Sequence, residues 1–252
     1  LQEQGYEIDL VDIKRDGTID LDHLKELLRP DTIVVAVTMV DSELGVVQPV
    51  QEIAEILKDH PHCHLHVDAT QAVGKIPVSF EGVDTMSLTA HKFYGLNGIG
   101  LLLKRRNLAL EPLIHAGEST TIYRSGTPTV ALASSLALAL ELAVEQLPQR
   151  TAAVRDANAF LRAELAKYPK VRINSPENAI PHILNLSVQD VKGTVFQREL
   201  NEEGVCVSVK SACSSDGLPS RAVFAVSRDR RNALSSWRVS LSHQTTEEDL
   251  RG

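Results

Sequence analysis

The strongest constraint on the fold is an alternation that runs from residue 32 to residue 104. "TIVVAVT" at 32–38 is a buried-strand run, and "VQEIAEILKDH" at 50–60 has helical spacing. "CHLHVD" (63–68), "DTMSLT" (84–89) and "GIGLLLK" (98–104) are further strand segments. Strands separated by helices imply an α/β unit with a largely parallel sheet. The texture then changes. Residues 129–146 and 149–167 read as two long helices broken at "LPQ" (147–149). The first is strongly apolar and is expected to be buried. After it come "HILNLSV" (182–188), a helical "TVFQRELNEEG" (194–204), a strand "VCVSV" (205–209) and "SWRVSL" (236–241). This second part reads as a smaller α+β unit. The division is expected near residue 146, giving a large unit 1–146 and a small one 147–252.

Composition excludes several function classes. The net charge of −7 argues against a nucleic-acid or anionic-membrane partner. The most apolar stretch, 130–144, is too short to span a bilayer. Three cysteines at irregular spacing give no disulfide framework, so a reducing cytoplasm is expected.

Polar residues that interrupt the apolar pattern mark the chemistry. "HVDATQAVGK" ends a strand with Asp68, followed by Thr70 and Gln71. In open α/β sheets that edge binds ligands, although a carboxylate there also serves as an ordinary helix cap. "TAHKFYG" brings Thr89, His91 and Lys92 to the next strand end. An amine desolvated beside other cations becomes a nucleophile for carbonyls; a lone lysine is ordinarily a surface residue. "YRSGTP" places Arg124, Ser125 and Thr127 around Gly126 ahead of a helix, which suits a phosphate or a plain N-cap. An amine, a carboxylate for a pyridine nitrogen and a phosphate site together suggest pyridoxal 5′-phosphate. A rival lies in "PHCHLHVD": His62, His64 and His66 share one strand face and could bind zinc. Cys206 alternates with valines and reads as a buried strand residue. In "VKSACSSDG", Cys213 sits among small residues that suit a mobile, reactive thiol.

"HVDATQAVGK", "HKFYGLNGIG", "RSGTP", "SACSS" and "WRVSLSHQTTEEDL" resemble, in order, the NifS/IscS-type cysteine desulfurases of the class V aminotransferase fold. The resemblance runs from about residue 5 to the end. It implies a fold type I transferase that uses pyridoxal 5′-phosphate, turns L-cysteine into L-alanine and passes sulfur to acceptors such as an iron–sulfur scaffold. By the same resemblance Lys92, Cys213 and His91 form the catalytic set. Lys92 is the Schiff-base lysine and Cys213 carries the persulfide. Asp68 pairs with the pyridine nitrogen and Gln71 with the phenolic oxygen. Thr89 and His91 contact the phosphate, and Thr127 reaches the phosphate of a neighbouring subunit, which implies a homodimer with shared sites. Arg238 clamps the substrate carboxylate.

Some positions depart from the family. Its paired asparagines appear as Asp41 and Ser42, which puts the Ser42 contact to cofactor or substrate in doubt. Ala90 stands where glycine is common. The resemblance also implies an upstream segment with part of the phosphate cradle and a ring-stacking histidine, so the 252 residues alone are expected to hold the cofactor weakly. Selenocysteine lyase, a plain aminotransferase and a non-catalytic docking or dimerisation module are the alternatives. Cys213 argues against the plain aminotransferase, which needs no second nucleophile.

Overall fold

A computed structural model describes residues 1–115, 121–210 and 218–251. In chain order the first elements are α1 (Leu21–Leu27), β1 (Val34–Thr38), α2 (Val50–Ile56), β2 (His64–Asp68), β3 (Thr85–Thr89) and β4 (Gly100–Lys104). They are followed by α3 (Val130–Glu145), α4 (Leu147–Leu165), β5 (Val171–Ile173), β6 (Ile183–Val188) and α5 (Gly193–Glu202). The chain closes with α6 (Arg221–Ser227), α7 (Arg230–Leu234), β7 (Ser236–Ser240) and α8 (Glu247–Arg251).

The first sheet has the order β1-β2-β3-β4. β1, β2 and β3 run parallel, and β4 returns antiparallel to β3. Their register brings Thr38 opposite Asp68, and Asp68 opposite Ser87. The carboxyl ends of the parallel strands therefore form one edge. Alternation assigns the faces: on β2, Leu65 and Val67 enter the core, while His64, His66 and Asp68 take the other side. Ile53 and Phe93 are among the fully buried residues of the same core. The second sheet, β5-β6-β7, is antiparallel. Leu184, Leu186 and Trp237 fill its core, and Trp237 stacks on Phe196 of α5 at 4.9 Å.

A 3-10 turn, Ala90–Phe93, follows β3 and carries His91 and Lys92. Two glycines let α3 settle on it. A Cβ on Gly95 would lie 2.7 Å from the Ala90 Cβ and 3.2 Å from that of Ala139. A Cβ on Gly74, at φ +75°, would lie 2.9 Å from the Phe93 Cβ and 3.2 Å from that of Ala143. Ala90, where glycine is common, is fully buried against the space that Gly95 leaves open.

Three expectations need correction. α3 is not buried throughout: Leu136, Ala139 and Ala143 are buried and Leu140 packs partly against the core, while Val130, Leu138 and Val144 are exposed. A 3.6-residue repeat packed on one side buries one stripe, whatever the other faces carry. The helix break falls at Gln146, one residue before α4 begins, with Pro148 in its first turn where a missing N–H costs nothing. The α3 and α4 axes differ by 70°, and among the described residues no single helix is long and apolar enough to cross a membrane. "VCVSV" forms only an isolated bridge, Ser208 to Arg238. Val207 packs on the second core, so its neighbour Cys206 points outward and is exposed, not buried.

Candidate active site

The crevice between the two sheets is built by the loop that follows β1. Asp41 Oδ1 accepts from the backbone N–H groups of Glu43 and Leu44, which tightens this loop into a turn. From the turn, four contacts cross to the second unit, one of them to its sheet. The Gly45 carbonyl accepts from Ile180 N–H (2.8 Å), and the Leu44 carbonyl from the Ser175 hydroxyl (2.7 Å). Glu43 Oε2 accepts from the Ser220 hydroxyl (2.5 Å), and the Ser42 carbonyl from Arg238 Nη1 (2.6 Å). Ser220 is also the N-cap of α6, accepting from Val223 N–H. Burial pushes the Glu43 carboxyl up, against the pull of the Ser220 donor.

Arg238 lies in the middle of β7. Burial pushes its guanidinium down, and the nearby carboxylates of Glu43 and Asp41 oppose that push. It makes no salt bridge among the described residues, and its buried Nε has no hydrogen-bond partner. A half-buried guanidinium with free donors suits a carboxylate. Its backbone pairs with Ser208 in both directions (2.6 and 3.1 Å), so the segment leading toward Cys213 leaves from beside it. Cys213 itself lies outside the described residues.

At the sheet edge, Asp68 Oδ1 accepts from Thr70 N–H (2.9 Å), which closes a turn and caps no helix, while Oδ2 keeps no protein partner among the described residues. Gln71 follows on the same turn, with Oε1 2.6 Å from Lys75 Nζ. The next strand end carries Thr89. Its hydroxyl donates to the Ile99 carbonyl (3.1 Å) and lies 3.0 Å from His91 Nδ1. One hydroxyl proton serves one acceptor, so Nδ1 carries the proton of that second contact. Lys92 is exposed on its turn. Tyr94 closes the turn at φ +72°, held edge-on to His243 at 4.8 Å and under the Arg150 guanidinium at 5.2 Å. Thr127 is exposed in the loop before α3, where its carbonyl accepts from Arg124 Nη1 over 3.4 Å.

The structure thus gathers Asp68, Gln71, Thr89, His91 and Lys92 at one edge, with Ser42 and Arg238 joined across the crevice. Sequence reasoning did not single out Lys75, Glu43, Ser220 and His182. Lys75 could have been found from its i+4 spacing after Gln71. Burial, with the charges of Lys92 and Arg238, pushes Lys75 down to about 8. His182 is 4% exposed, and burial with the charges of Lys75 and His243 pushes it down to about 4. As for the histidine run, His66 Nδ1 pairs with Thr85 Oγ1 at 2.8 Å. Among the described residues no group of three His, Cys, Asp or Glu side chains is placed to hold a metal.

An open α/β sheet with a carboxylate and an amine at neighbouring strand ends, joined to a small antiparallel unit, is an α/β architecture with a polar, ligand-type edge. The chain belongs to the class-V aminotransferase family, whose model matches residues 1–251. It is 38% identical to the cysteine desulfurase IscS of Dictyoglomus turgidum, over 99% of this chain and 64% of that protein. It is 37% identical to the mitochondrial cysteine desulfurase of Arabidopsis thaliana, over 99% of this chain and 56% of that protein. It thus spans less than two thirds of the length of these curated relatives. Among solved structures, a NifS-like protein superposes with a TM-score of 0.91 at 31% identity, covering 99% of this chain and 66% of that one. SspA, solved in complex with cysteine, superposes at 0.80 with 27% identity, covering 97% of this chain and 69% of that one.

Proposed function

We propose that this chain is the larger part of a cysteine desulfurase that uses pyridoxal 5′-phosphate and L-cysteine. The observation that carries this reading is the placement of Lys92 and Asp68 at adjacent strand ends, with half-buried Arg238, which makes no salt bridge among the described residues, on the second sheet. The donor set fits the cofactor: an amine to anchor it, a carboxylate oxygen free for a protonated ring nitrogen, an amide donor, and hydroxyl and imidazole groups for a phosphate. When bound, the cofactor supplies an electron sink next to the substrate Cα.

The remaining chemistry belongs to side chains of this chain. Asp68 Oδ2 holds the ring nitrogen protonated. Thr89 turns its hydroxyl from the Ile99 carbonyl toward the phosphate, beside His91. Arg238 binds the substrate carboxylate through Nε and its free Nη2, and stays anchored to the Ser42 carbonyl through Nη1. Lys92 Nζ anchors the cofactor and takes the Cα proton. The Cys213 thiolate then attacks the substrate sulfur. An S–S bond forms, the Cβ–S bond breaks with its electron pair moving to Cβ, and protonation at Cβ, with the proton returned to Cα by Lys92, yields L-alanine. Thr127 serves the phosphate site of a second copy, and the persulfide passes to an acceptor protein such as an iron–sulfur scaffold in the cytoplasm.

Two labels on the intact protein test this. Borohydride reduction in the presence of pyridoxal 5′-phosphate, followed by peptide mass spectrometry, should tag Lys92. Alkylation after one turnover with cysteine should find one extra sulfur atom on the Cys213 peptide, and Cys213→Ser should stop alanine release while keeping the tag. A tag on Lys75, or alanine released by Cys213→Ser at the parent's rate, would refute the reading.

A further inference from the structure

Lys75 ends the turn that follows β2, and its position is unusual for a lysine. Its carbonyl accepts from the Thr151 hydroxyl of α4 (3.2 Å), which ties the turn to the second unit. Its ammonium is half-buried, within electrostatic reach of Lys92, Arg238 and His182. No carboxylate forms a salt bridge with it among the described residues. Its hydrogen-bond partner is instead a neutral amide, Gln71 Oε1, at 2.6 Å.

The chemistry of that contact is directional. A carboxamide has an acceptor end and a donor end, whereas an ammonium can only donate. The end of Gln71 that faces Lys75 must therefore be oxygen, and the NH2 end is turned away. Nε2 has no protein partner among the described residues. Building on the cofactor reading above, we propose that Lys75 is a positioning residue: by holding Oε1, it presents Gln71 Nε2 as a fixed donor to an anionic oxygen of the bound pyridoxal ring. Without Lys75 the amide is free to rotate by half a turn and present oxygen to oxygen.

Two further facts agree with this. Even with its pKa lowered to about 8, Lys75 is still an ammonium at pH 7, and so still an obligate donor. A cation buried beside two others is costly, and such costs concentrate where a ligand of opposite charge is bound.

The test compares the parent with Lys75→Met, Gln71→Ala and the double variant in the intact protein loaded with pyridoxal 5′-phosphate. Lys75→Gln, which can accept as well as donate, runs beside them in case Lys75→Met does not fold. Two quantities are read: the Kd for the cofactor by equilibrium dialysis, and the pH midpoint of the bound cofactor's visible absorption. Loss of one oriented hydrogen bond should weaken binding about three- to tenfold. Lys75→Met should move the absorption midpoint in the same direction as Gln71→Ala, and the double variant should move it no further. Lys75→Gln should fall between the parent and Lys75→Met. If Lys75→Met or Lys75→Gln keeps the parent's midpoint and Kd while only its urea midpoint moves, Lys75 is a structural cation and the inference fails. Effects that add in the double variant overturn it as well. A parent that binds no pyridoxal 5′-phosphate overturns the functional reading, and this inference falls with it.

Discussion

His182 couples the acid stability of the fold to a single buried imidazole. It is 4% exposed, and its Nδ1 has no hydrogen-bond partner among the described residues. Burial, with the positive charges of Lys75 and His243, pushes it from 6.5 down to about 4. The unfolded chain takes up this proton near 6.5 and the folded chain only near 4. Between those values the unfolded state binds more protons, so the contribution is intact above pH 6.5 and is lost as the pH falls toward 4. Going from pH 7 to pH 4.5 removes about 2 kcal/mol through this residue alone. His182→Leu abolishes the titration and removes the unpaired nitrogen. Urea unfolding followed by Trp237, the only tryptophan, reads the second core directly. The parent should lose about 2 kcal/mol more than His182→Leu between the two pH values, since every other titratable group is present in both proteins. Equal losses, within about 0.5 kcal/mol, would show that His182 does not titrate as its burial demands.

Arg238→Met should raise the KM for cysteine by at least tenfold, as expected when a charge-assisted pair worth about 2–5 kcal/mol is lost, while cofactor absorption persists. An unchanged KM would make Arg238 structural. In the native protein a thiol reagent should modify exposed Cys206 within minutes and spare Cys63, which is buried and whose thiol burial pushes up; mass spectrometry of the labelled peptides checks both.

The parallel strands were legible because β1 is an apolar run and β2 and β3 alternate with a period of two, and the polar residues ending them stood out. Lys92, Asp68 and Gln71 were visible for that reason. Helices α6 and α7, of seven and five residues, are too short for a 3.6-residue repeat to register. Cys206 was misjudged because alternating valines reveal a strand's period but not which phase faces the core. Glu43 and Ser220 were invisible for a different reason. They lie 177 positions apart, and the significance of each comes from the other. His182 depends likewise on Lys75 and His243, which arrive from separate segments.

The anchor of Arg238 is a backbone carbonyl, that of Ser42. Every amino acid supplies that group, so the guanidinium places no demand on which side chain stands at position 42. Mutation can sample asparagine, serine or a larger residue there while the hydrogen bond is inherited intact. A substitution at position 42 could thus refit the crevice to a different amino acid without rebuilding the clamp.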